Sequence, residues 1–88
     1  MAFPGGSAYA MARDVAEGYL LVTERMFKTM TRSELDQVTF EIDRHLRELR
    51  GEQPPLDDTP ALQQRQRRMQ RLNSALAVVR GYRTKQKV

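Results

Sequence analysis

The chain has 88 residues, 40% of them apolar, which sets one small domain with a thin core. It has no cysteine, which excludes disulfide frameworks and thiolate metal sites and fits a reducing, cytoplasmic setting. The net charge of +4 is unevenly spread: residues 1–30 are neutral, residues 31–58 carry −4, and residues 59–88 carry +8 without a single acid.

The N-terminal MAFPGGSAYA lacks the charged start and apolar run of a signal peptide. No stretch approaches the ~18 continuous apolar residues of a membrane span, so no membrane association is expected. The domain is expected to occupy 1–88, with 1–6 and 84–88 as flexible ends.

Helix signals recur along the chain, while sustained period-2 alternation and Asn-Gly or Asp-Gly hairpin signals do not occur. Ser7 is the expected N-cap of a first helix over about 7–30. Its apolar positions Ala8, Ala12, Val15, Tyr19, Val22, Met26 and Met30 are spaced by three or four and share one face. Gly18 falls inside that pattern at a cost of about 1 kcal/mol against Ala, as a close helix contact would explain.

A second helix over 32–50 opens on Thr31-Arg32-Ser33-Glu34, the pattern of a capping box. Leu35, Val38, Ile42, Leu46 and Leu49 give it a clean stripe. Gly51 is its expected stop, and Pro54-Pro55 forbids continuation. Thr59 as cap and Pro60 in the first turn restart a third helix over 60–82 on Leu62, Met69, Leu72, Leu76 and Val79.

The expected fold is all-α, three helices in which the second and third form an antiparallel coiled-coil-like hairpin. The tight Met30–Thr31 junction leaves the direction of the first helix open. The first helix has a wider apolar face than one neighbour requires, and Ala75–Val79 is apolar nearly all round. A bundle completed by a homodimer or by another protein is therefore expected. Val15, Tyr19, Val22, Met26, Phe27, Phe40, Leu76 and Val79 are the expected apolar interface.

The stretch LQQRQRRMQRL, residues 62–72, holds four arginines that do not share one helical face. Arg65 even falls inside the apolar stripe. On the second helix Glu34, Glu41 and Glu48 are seven apart and form an acidic ridge beside the seam. Glu41 and Glu48 are therefore expected to pair with Arg65, Arg68 and Arg71, within the chain or across two copies, setting register more than stability. Further on, Arg80, Arg83, Lys85 and Lys87 have no acid nearby in sequence. They are the candidate phosphate contacts, with Tyr82 as a stacking ring.

Chemistry finds few parts. His45 is the only histidine, and Glu41 and Glu48 could supply half a metal site at most, since the di-iron bundle spacing would need an acid where Ile42 stands. No nucleotide loop, zinc spacing or nucleophile elbow is present. No catalytic residue, cofactor or metal is expected, and the chain reads as a non-enzyme.

A helix-turn-helix is poorly supported: the loop between the second and third helices is about twice the usual three or four residues, and the alternative reading helix is acidic. The expected function is a non-catalytic helical protein–protein interaction module, an adaptor, assembly factor or co-chaperone. In outline the hairpin is similar to small bacterial secretion co-chaperones and short regulatory hairpins, a likeness of shape that brings no functional residue with it. The alternative is a nucleic-acid-associated regulator using segment 65–87.

Overall fold

The computed structural model describes residues 6–52 and 54–86. Among these the chain is all-α, with four helices rather than three: α1 Ala8–Glu17, α2 Glu24–Phe27, α3 Arg32–Gly51 and α4 Thr59–Gln86. The molecule measures 48 × 26 × 18 Å. Its long dimension is that of α4, since 28 residues rising about 1.5 Å each span roughly 42 Å.

The expected first helix is cut at Gly18. Ser7 caps α1 as expected, its side chain accepting from the Ala10 amide at 3.0 Å. Gly18 then adopts φ 86° and ψ 10°, the left-handed conformation that glycine enters without steric cost. The Tyr19 amide donates to the Asp14 carbonyl and the Gly18 amide to the Val15 carbonyl, at 2.9 and 3.1 Å. This is a Schellman closure. The three-and-four spacing across Gly18 suggested one helix, but the glycine ends the first and the chain leaves at an angle.

The capping box at Thr31 and Glu34 is present, with bonds of 2.7 and 3.2 Å. Two other caps differ from expectation. Gly51 is the last residue of α3 rather than a left-handed stop, and the C-cap is Glu52. The carboxylate of Asp58, not the hydroxyl of Thr59, caps α4 by accepting from the Ala61 amide at 3.2 Å. Helix α4 also runs past 82, so residues 84–86 are helical. Residues 1–5, 87 and 88 lie outside the described residues.

Helix α1 folds back on the hairpin: α1, α3 and α4 pack on one another, and α2 packs on α4. Their shared core holds Met11 and Val15 from α1, Leu35, Val38, Ile42 and Leu46 from α3, and Leu72, Leu76 and Val79 from α4. Phe27 of α2 is fully buried, its ring 5.7 Å from that of Tyr82. Burying such a side chain stabilises by about 1.5–3 kcal/mol. A four-residue helix is therefore held by its aromatic anchor rather than by its own hydrogen bonds.

Candidate docking groove

Between Gly18 and Thr23, itself extended, the chain has no helix, and its side chains alternate in exposure. Tyr19 is 82% exposed and Leu21 84%, whereas Leu20 is half-buried and Val22 buried. This is the two-residue period of a strand, with Leu20 and Val22 turned inward. No backbone bond holds the amides of residues 20–22 among the described residues. In a Schellman closure an apolar residue at the Tyr19 position often packs back onto the helix; here the facing residue is Asp14, and Tyr19 stays outside.

This segment forms one wall of a groove of about 500 Å³, and α4 forms the other. Leu20, Leu21 and Val22 line it from one side and Arg71, Ala75 and Val78 from α4. Beyond Arg71 lies a polar cradle of about 200 Å³ lined by Glu17, Gln64, Arg67, Arg68 and Arg71. A largely apolar trough and a cluster of guanidinium groups thus share Arg71 as a common wall.

Those arginines do not meet the acidic ridge of α3. Arg68 forks onto Glu17, with its Nε and Nη2 at 3.2 and 3.4 Å from the two carboxylate oxygens. Arg71 Nη1 donates to the Ala16 carbonyl at 3.0 Å. Arg65 Nε donates to the Leu49 carbonyl at 2.8 Å. Both carbonyls belong to the last turns of their helices, where acceptors lack intrahelical partners and the dipole end favours a cation. Glu41 and Glu48 instead lie 3.5 and 3.3 Å from Arg44 of their own helix. Within one chain, the expected Glu41/Glu48 pairing with Arg65, Arg68 and Arg71 is therefore replaced by local pairs on α3 and by contacts of the arginines with the ends of α1 and α3.

Most of the expected apolar interface is internal. Val15, Val22, Phe27, Leu76 and Val79 lie in the chain's own core, and Met26 packs against it. Only Tyr19 and Phe40 remain exposed. Phe40 and Tyr9 flank a second hollow of about 480 Å³ between α1 and α3, also lined by Asp36 and Glu41.

The candidate phosphate contacts are dispersed. Arg83 is paired with Asp36 and Lys85 with Glu24, the latter at 2.8 Å. Arg80 is exposed, and Lys87 lies outside the described residues. Tyr82 is buried against Phe27, so its ring is not open for base stacking.

His45 Nδ1 donates to the Glu41 carbonyl at 2.8 Å, and its ring lies 5.0 Å from that of Tyr9. Among the described residues no three His, Cys, Asp or Glu side chains are grouped to hold a metal ion. Likewise, no described helix is long and apolar enough to cross a membrane.

Of the groove residues, Val78 belongs to the Ala75–Val79 run that is apolar nearly all round, whereas no sequence pattern assigns Gln70 or Ser74 to an interface. The alternation through Tyr19-Leu20-Leu21-Val22 was the available signal, but it spans too few residues to outweigh the helical period on either side. No protein-family model, no curated protein and no solved structure matches the chain.

Proposed function

We propose that the chain is a small, non-catalytic helical protein–protein interaction module of the adaptor, assembly-factor or co-chaperone kind. Its docking surface is the groove between residues 19–22 and α4. One observation carries this reading: Tyr19 and Leu21, both more than four-fifths exposed, stand on the non-helical segment beside an open, largely apolar trough. A 10.2 kDa chain with so thin a core gains nothing for its own stability from leaving two large apolar side chains in water. The trough has the mixture of apolar walls and a few placed charges that suits a partner's side chains.

The test is co-purification from the native host with tagged wild-type chain and a Leu21→Asp variant. A partner captured by the first and lost by the second, with both equally folded by circular dichroism, supports the reading. Identical capture by the two variants counts against it.

A nucleic-acid-associated role for segment 65–87 is the second reading, and it draws on Arg67 and Arg80. Both are exposed, and neither has an acidic partner among the described residues. It is the weaker one, because the neighbouring cations already have partners within the fold.

A further inference from the structure

The loop between α3 and α4 carries the second exposed aliphatic feature of the surface. Residues 55–58 form a tight turn closed by a bond of 3.0 Å from the Asp58 amide to the Pro55 carbonyl. Pro54 and Pro55 fix the backbone entering it. At its tip Leu56 is 81% exposed. Asp58 is engaged in capping α4, while Asp57 beside it has no ion-pair partner among the described residues. The turn therefore presents one aliphatic side chain next to one free carboxylate, on a backbone with little conformational freedom left to lose.

The groove offers the complementary pattern. It shares Arg71 with the neighbouring cradle, where Arg67 has no acidic partner among the described residues, and Arg71 uses one bond of the five its guanidinium can donate. We propose that a second copy of this chain fills the groove: Leu56 of one copy enters the trough between Leu20, Val22 and Val78 of the other, and Asp57 meets Arg67 and Arg71 at its rim. The inference rests on the reading of this groove as a protein-docking surface and names its occupant.

The contact has to be intermolecular. Asp58 caps α4 and the α4 wall of the groove begins at Gln70, twelve positions on, so roughly 18 Å of helix separates a turn from its own trough. Each chain bears one turn and one groove. A two-fold arrangement that fills both grooves closes into a dimer, while a head-to-tail arrangement closes into a ring or continues as an open chain, according to its rotation.

The absence of native cysteine makes the test clean. Leu56→Cys and Leu21→Cys variants, mixed and oxidised, are expected to form the mixed disulfide in preference to either homodisulfide. Light scattering of the full-length chain across a concentration series is expected to show association that Asp57→Arg weakens about tenfold and that Arg67→Asp in the Asp57→Arg background restores. Restoration by the charge swap is a readout that misfolding does not mimic. A single-chain mass at every concentration overturns the proposal, as does association indifferent to Asp57→Arg. If the chain is monomeric yet still loses a host partner on Leu21→Asp, self-docking fails while the interaction reading stands.

Discussion

The guanidinium of Arg71 lies flat against Gly18: a Cβ built on that glycine would stand 3.0 Å from Cζ and 3.2 Å from each terminal nitrogen. Two constraints thus meet at one residue, the left-handed backbone at φ 86° and the approach of a side chain from α4. Gly18→Ala is expected to destabilise the fold by about 1–2 kcal/mol through the backbone conformation alone. Because the Arg71 side chain must also give way, the effects of Gly18→Ala and Arg71→Ala are expected to be non-additive. A double-mutant cycle by urea denaturation measures this.

Arg65 and Arg67 lie two residues apart and should behave differently. Arg65→Ala leaves the Leu49 carbonyl without its donor and is expected to cost about 1 kcal/mol. Arg67 is exposed, so Arg67→Ala is expected to stay within about 0.5 kcal/mol of the parent. Paired denaturation curves decide it.

Among the aromatics, the contrast is between Phe27 and Phe40. Phe27→Ala empties a fully buried site that anchors α2, with an expected loss of about 3–5 kcal/mol. In a domain this small such a loss is a large part of the total stability, so the variant should be largely unfolded at physiological temperature. Phe40, 57% exposed, is expected to tolerate alanine with little change in thermal midpoint.

Polyanion binding provides a further check. Arg83 and Lys85 are held by Asp36 and Glu24. Asp36→Asn with Glu24→Gln releases both cations, and affinity for duplex DNA should rise. The slope of log affinity against log salt should steepen by roughly 1.8, the value for two additional phosphate contacts. Fluorescence anisotropy of a labelled oligonucleotide at several salt concentrations reads this out. An unchanged slope would show that the two ion pairs do not withhold these cations.

What the sequence disclosed depends on whether a signal is local. The capping box at Thr31 and the apolar stripe from Leu35 to Leu46 are local patterns, and both are seen in the fold. Gly18 was ambiguous in principle. A glycine within a three-and-four pattern is either a tolerated mid-helix residue or a left-handed terminus, and the pattern resumes at Val22, Met26 and Met30 in either case. The partners of Arg65 and Arg71 were not legible at all. They are main-chain carbonyls, which every residue has, so no side-chain pattern announces them; Glu41 and Glu48 were the visible alternative, and in the fold both pair with Arg44 of their own helix. Leu56 escaped notice because one leucine in a proline-rich acidic loop has no periodicity to mark it.

Helix α4 carries the remaining consequence. It has no acid of its own, and Arg65/Arg68, Arg68/Arg71, Arg67/Arg71 and Arg80/Arg83 stand three or four positions apart, where like charges repel. Excised as a peptide it would be self-repelling and less helical than its 28 residues suggest. The compensation arrives from elsewhere in the chain: the end of α1, the end of α3, and single carboxylates on α2 and α3. Helicity in the longest element is thus borrowed from the shorter ones, and the chain should melt in one cooperative step, without a surviving α4.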